Sequence, residues 1–261
     1  MKTGEIRILL CEPVPEMEPN PQHRAYWNKT LEKVARPDIT LDYVNISRGY
    51  TGLSGYEQLY GSVEMVKRAY QAEKQGYDAF IIGCASDMAI MECRSIVDIP
   101  VIAPTEACSH IAATLGNKFS IIDLQYATKP VIENAVRNAG LSSKLASVRS
   151  PEGMDADRVS QLTSEDPSKA VRIFRDEMKK AIMEDGAEAL LVSCLLTSAF
   201  LTEHGLYEVE GVPVIDLLAG SLKMAEIMID LQDSFGTGVC KNTIYRAPSS
   251  GWDKDLPLLA E

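Results

Sequence analysis

The chain has 261 residues, with 26 Lys plus Arg against 37 Asp plus Glu, a formal net charge of −11 and 46% hydrophobic residues, enough for one compact unit or two modest domains. The acid excess argues against unspecific binding to nucleic acid or to an anionic membrane, which needs a basic face. The longest uncharged apolar stretch, 189–201, is 13 residues and is broken by Ser193, Thr197 and Ser198, whereas a bilayer span needs roughly 20.

In chain order, 6–10 (IRILL) reads as a buried strand, followed by an acidic, Pro-containing insert to about Asn20. Residues 1–10 include Glu5 and lack the apolar run of a secretory signal. Segment 39–46 (ITLDYVNI) alternates as a second strand. The glycines of RGYTGLSGYEQLYG (48–61) mark a turn or lid, since neither GxGxxG nor GxxxxGK[ST] is present. Val63, Val66 and Tyr70 stand at helical spacing up to Gly76, a helix stop; 79–83 (AFIIG) is a strand, followed at once by Cys84. Thr105-Glu106 looks like a helix start, and 119–123 (FSIID) like another strand. The polar 151–168 reads as a solvated loop and helix start. Val171, Phe174, Met178 and Ala181 share a helical face that Gly186 closes; 189–192 (ALLV) is a strand, and Cys194 follows. From Gly236 the periodicity fades into an extension or packing arm.

Strands alternating with helices predict βαβ units and mainly parallel sheets. The chain also repeats itself. EKQGYDAFIIGC (73–84) aligns without a gap on MEDGAEALLVSC (183–194), an offset of 110, and IPVI (99–102) matches VPVI (212–215) at 113. The expected architecture is therefore two pseudo-symmetric α/β lobes with four-stranded sheets around a central cleft, 1–104 plus 217–261 forming one lobe and 105–216 the other. Ligands of open parallel sheets bind at the carboxyl ends of strands, where Cys84 and Cys194 both stand.

The six cysteines (Cys11, Cys84, Cys93, Cys108, Cys194, Cys240) are dispersed, which predicts reduced thiols in a cytosolic protein. Without CxxC, HExxH or a His-rich cluster, no structural or catalytic zinc site is expected. A lone cysteine is most often core, but two at one repeat position favour chemistry. Two thiols on opposite faces of a carbon acid can remove a proton from one side and return one to the other. If each turn opens a helix, its N–H groups would stabilise a thiolate and an enolate, with Asp87 capping that helix or orienting substrate. Cys108 and His110 lie two apart on one helix and do not face each other; both read as structural, as do His23 and His204. Cys11, near the first strand's end, is a candidate cleft residue. No GxSxG elbow is present.

GYDAFIIGCASD (76–87), IPVIAPTEA (99–107) with SHIAATLGNKFSIID after it, DGAEALLVSC (185–194) and GVPVID (211–216) resemble the aspartate/glutamate racemase superfamily, most closely its hydantoin and allantoin racemase branch. The resemblance spans roughly 77–231. It implies two flavodoxin-like lobes, a cofactor-independent mechanism with Cys84 and Cys194 as the acid/base pair, and a homo-oligomer. It makes Ser86, Asp87 and the turn after Cys194, with Leu195 and Thr197, substrate contacts. It also places Tyr126 like a substrate-contacting tyrosine of arylmalonate decarboxylases and draws Glu106, otherwise a helix cap, toward substrate. Two places depart from the branch: Cys11-Glu-Pro-Val-Pro stands where INPNT is usual, and SCLLTS where GCAGM is usual.

The leading expectation is a racemase or epimerase of a small carbon acid, a hydantoin-type ring first. The rivals are a maleate-type cis–trans isomerase or a malonate decarboxylase on the same fold, and a non-catalytic small-molecule binding protein.

Overall fold

Isoleucine and leucine at 6–10 start a strand whose interior residues are almost wholly excluded from solvent. In the computed structural model, which describes residues 5–15, 21–47 and 54–248 (21–23 by backbone only), the first elements are β1 (Ile6–Pro15), α1 (Pro21–Val34), β2 (Ile39–Ile46), α2 (Gly55–Lys74), β3 (Ala79–Ile82), α3 (Ile90–Ile96) and β4 (Val101–Ile102). Then come α4 (Pro104–Leu115), β5 (Phe119–Ile122), a 3₁₀ turn (Tyr126–Thr128), α5 (Lys129–Asn138), β6 (Leu145–Arg149), α6 (Ala156–Glu165) and α7 (Pro167–Asp185). The last are β7 (Ala189–Val192), α8 (Leu195–Glu203), β8 (Glu208–Val209), β9 (Val212–Ile215) and α9 (Leu217–Phe235).

The chain forms two compact units, one of residues 1–18, 35–103 and 222–261, the other of 19–34 and 104–221. The first holds a parallel sheet in the order β2-β1-β3-β4, the second β6-β5-β7-β9-β8. The repeat read from the sequence is thus a repeat of strand order and register. Leu9, Phe80 and Val101 lie side by side in one sheet, Ser120, Leu190 and Val214 in the other, residue numbers 111, 110 and 113 apart. The second sheet has four parallel strands, as expected, plus a two-residue fifth: Glu210 and Gly211, both at positive φ, turn β8 back antiparallel to β9.

Three local expectations change. Gly55 and Gly61 belong to α2 rather than to a lid, because Ser54 and Glu57 form a reciprocal capping box that starts the helix early; Gly49 and Gly52 lie outside the described residues. Segment 151–168 is mostly helix, α6 and the start of α7, each capped by an aspartate side chain, Asp155 and Asp166. The stretch 21–34, which the sequence reading leaves in the first lobe, packs with the second unit: the Tyr26 ring meets Phe200 edge-on at 5.4 Å, and Lys33 pairs with Glu203.

Each unit has its own core. Met65, Phe80 and Ile82 centre the first, and Phe174, Met178, Leu190 and Phe200 the second, where full burial of a side chain of this size contributes about 1.5–3 kcal/mol. Gly186 ends α7 in the left-handed region, as its place in the sequence predicts. Arg149, at the end of β6, reaches Glu177, Glu184 and Asp185 of α7, tying that helix to the sheet. Beyond α9, Lys241 donates to the carbonyls of Arg94 and Val97 at 2.7 and 2.6 Å, so the irregular arm closes the carboxyl end of α3. No helix among the described residues is long and apolar enough to cross a membrane.

Candidate active site

In the first unit, β3 is buried along its whole length, and Gly83 donates its N–H to the Cys11 carbonyl at 2.7 Å. Cys84 then leaves the sheet in a turn closed by Asp87 N–H to the Cys84 carbonyl, 3.1 Å. The Cys84 Sγ lies 3.1 Å from the Ser86 Oγ, a hydrogen bond in which either group can donate. Asp87 (φ 52°) and Ala89 (φ 56°) both occupy the left-handed region, where non-glycine residues are uncommon and tend to mark functional turns. The helix expected directly after Cys84 starts only at Ile90, with Ala89 at its cap and no side-chain bond there. Asp87 is buried and does not cap it. The Ser86 hydroxyl and the edge of the first core, rather than the cap of α3, stand beside Cys84.

The second unit solves the same problem differently. Ser193 donates its N–H to the Ile122 carbonyl at 3.0 Å, the counterpart of the Gly83 contact. Cys194 is itself the cap residue of α8, extended at φ −159°, with its carbonyl accepting from Ser198 N–H at 2.8 Å. Its thiol makes no capping bond, while the first N–H groups of α8 and the positive end of the helix dipole sit beside it. Here the sequence expectation of a helix opening at the cysteine holds.

Behind this turn lies Asp123, at the end of β5. It accepts from the Ser193 hydroxyl, from the Thr128 hydroxyl at 2.5 Å and from Leu124 N–H at 2.8 Å. Burial pushes its pKa above the ordinary carboxylate range, against the lowering effect of these three donors. The folded state therefore holds the Asp123 proton more tightly than the unfolded chain. The resulting stability is present below the ordinary aspartate pKa and is lost as pH rises through the raised value. Denaturant titrations from pH 3.5 to 7 are expected to show this decline in the wild type and its absence in Asp123→Asn; parallel curves would remove Asp123 as the titrating group.

Cys194 also forms part of the wall of a cavity of about 130 Å³ within the second unit. Leu196, Thr197 and Phe200 of α8 contribute one side, Ala156, Val159, Ser160 and Thr163 of α6 another, with Tyr26 and Leu124 completing it. Of the residues expected near substrate, the structure gathers Cys84 with Ser86 in one turn and Cys194 with Thr197 in one wall. Leu195 is 2% exposed, so its side chain is core and its backbone N–H is what it offers a ligand. Tyr126, in the 3₁₀ turn after β5, is 78% exposed and is not in the cavity wall. Glu106 stands half-buried in the first turn of α4.

The remaining thiols divide by environment. Cys11, Cys93 and Cys108 are buried, Cys84 and Cys194 partly exposed, and Cys240 exposed. Cys11 is thus a core residue and not a cleft residue; burial raises its pKa, and that of Cys93, well beyond the ordinary thiol range. Cys108 packs under the start of α9, with its Sγ 3.7 Å from the Leu217 carbonyl, while His110 is exposed. His204 packs at a tilt against Phe200, ring centroids 4.3 Å apart. Among the described residues no group of three or more His, Cys, Asp or Glu side chains is placed to hold a metal ion. The α6 wall, Tyr26 and Asp123 are additions that the sequence reading missed.

Residues 26–225 match the family model described as Asp/Glu/Hydantoin racemase. The hydantoin racemase of Pseudomonas sp. (strain NS671) is 29% identical over 236 residues, 88% of this chain and 90% of that protein. The hydantoin racemase of Rhizobium meliloti is 33% identical over 165 residues, 63% of this chain and 66% of that one. Among solved structures, allantoin racemase from Pseudomonas fluorescens superposes with a TM-score of 0.77 at 26% identity, covering 94% of this chain and 97% of that chain. This chain is an isomerase that belongs to the Asp/Glu/hydantoin racemase family.

Proposed function

We propose that the protein interconverts the enantiomers of a 5-substituted hydantoin, with Cys84 and Cys194 as the two proton-transfer groups. The observation that carries this reading is the shared register position of the two sulfurs. Each stands two residues beyond the last residue of the third strand of its unit, next to a backbone N–H that closes the strand. The two are also partly exposed, unlike the three buried cysteines. The names of the similar proteins support the ring substrate.

The C5–H of a hydantoin is flanked by a ring carbonyl. One cysteine, as thiolate, takes that proton and becomes a thiol, and the electron pair left behind delocalises onto the carbonyl oxygen as an enolate. The other cysteine, as thiol, protonates C5 on the opposite face and becomes a thiolate. The two sulfurs end in exchanged protonation states, and solvent restores them. A free thiol has a pKa of about 8.5, close enough to neutrality to act in both senses. The first-turn N–H groups of α8 are suited to the enolate oxygen, and the Ser86 hydroxyl to the Cys84 thiolate.

In deuterated water, a single enantiomer of 5-isobutylhydantoin should lose optical rotation. Early in the reaction the inverted product should carry deuterium at C5, while the remaining starting enantiomer keeps protium. Inverted product that retains protium, or deuterium spread equally through both pools, would overturn the two-base reading.

A further inference from the structure

We propose that the cavity beside Cys194 receives the carbon substituent at C5 of the substrate and selects apolar groups of about four carbons over polar or charged ones. This rests on the racemase reading above and adds to it which hydantoins the protein takes. The departing proton and the substituent are borne by the same carbon. A sulfur that reaches the proton therefore lies within a few ångströms of the substituent, and Cys194 is itself part of the cavity wall.

The wall has the chemistry of a side-chain pocket rather than of a ring site. Leu124, Val159, Leu196 and Phe200 supply most of the surface, the hydroxyl-bearing residues are Tyr26, Ser160, Thr163 and Thr197, and among the described residues no carboxylate, amine or guanidinium lines it. The Thr163 hydroxyl is already spent on the Ser160 carbonyl at 2.9 Å. A ureido group brings several hydrogen-bonding atoms and a carboxymethyl group brings a charge. The charge meets no cation among these residues, and the ureido group meets a wall that is mostly carbon, where unpaired polar burial is costly. Size agrees as well: a hydrocarbon-lined cavity of about 150 Å³ admits benzene, so about 130 Å³ accommodates an isobutyl group.

Ser160 is exposed on α6 and sits at this cavity, so its replacement changes the space without opening the core. The test compares kcat/KM for 5-isobutylhydantoin, 5-methylhydantoin and the 5-ureido compound allantoin in the wild type, S160F and L196A, with Tm recorded for each. The wild type is expected to favour the isobutyl compound by about 10-fold or more over both others. S160F should bring the isobutyl-to-methyl ratio close to one. L196A, assayed with 5-benzylhydantoin as well, should move preference the other way, raising the benzyl-to-isobutyl ratio above that of the wild type, so a folding defect in one variant does not decide the matter. An unchanged ratio in S160F, or allantoin turned over as well as the isobutyl compound, overturns the subsite while leaving the racemase reading intact. A wild type that turns over none of the compounds overturns both.

Discussion

Cys84→Ser and Cys194→Ser are each expected to slow racemisation by about 10²–10⁴-fold, the usual contribution of a positioned acid/base group, or about 3–5 kcal/mol of barrier. Serine keeps the shape, but its hydroxyl is a far weaker acid than a thiol, so neither the base nor the acid role survives at that position. The two variants should not be equivalent. In each, the surviving sulfur still removes a proton from its own face, exchanges it with solvent and returns it from the same side. Deuterium should therefore enter one enantiomer without inversion in Cys84→Ser, and the other enantiomer in Cys194→Ser. Wild-type racemisation in either variant, or exchange confined to the same enantiomer in both, would remove the paired-thiol assignment. The Ser86 contact and the α8 cap give the two sulfurs different surroundings, so unequal residual rates are part of the expectation.

What the sequence disclosed was whatever is local or repeated. The pairing of Cys84 with Cys194 follows from an ungapped alignment of strand-forming segments, and register in a parallel sheet leaves little room for such segments to differ. Gly186 and the Phe174–Met178–Ala181 face were legible because helix periodicity and a left-handed stop are local signals. The capping box at Ser54 and Glu57 was legible in principle as S-x-x-E, but the surrounding glycines suggested a loop. The α6 wall was hidden because only Val159 and Leu162 are apolar and buried in a helix otherwise polar. Asp123 has local partners in Leu124 and Thr128, but nothing local joins it to the Cys194 turn or Tyr26 to the cavity. The residues that link them there, Ser193 and Phe200, are 70 and more residues away, and only the tertiary fold joins them.

The unequal turns raise the question of why the first unit carries glycine where the second carries serine. At Ser193 a side chain is accommodated and used, its hydroxyl reaching Asp123. At Gly83 an added Cβ would stand 2.5 Å from the Cys11 carbonyl oxygen and 2.9 Å from Leu10 Cδ2. The carbonyl belongs to a buried strand and is held by the Gly83 N–H itself, so it cannot swing aside as a flexible side chain would. The repeat is therefore asymmetric for a steric reason, and the close approach of β1 to the end of β3 fixes where Cys84 leaves the sheet.

Gly83→Ala is accordingly expected to destabilise the protein by about 1–3 kcal/mol or more, the range for an overpacked interior, and to lower Tm by several degrees at about 2–4 °C per kcal/mol. Activity should fall further than stability. The strand end must move to admit the methyl group, and Cys84 is the next residue; a displacement of about 1 Å in a reacting group can cost about 10²-fold in rate. At a temperature where the variant is fully folded, kcat should be reduced while Cys194 keeps its wild-type alkylation rate with iodoacetamide. Gly55→Ala is the control: at the start of α2 its added Cβ meets nothing within 4 Å, and alanine favours helix over glycine, so Tm should be unchanged or slightly raised. If Gly83→Ala matches that control in both Tm and kcat, β1 does not constrain the departure of Cys84. The placement of the first sulfur would then have to come from the left-handed turn at Asp87 and Ala89 alone.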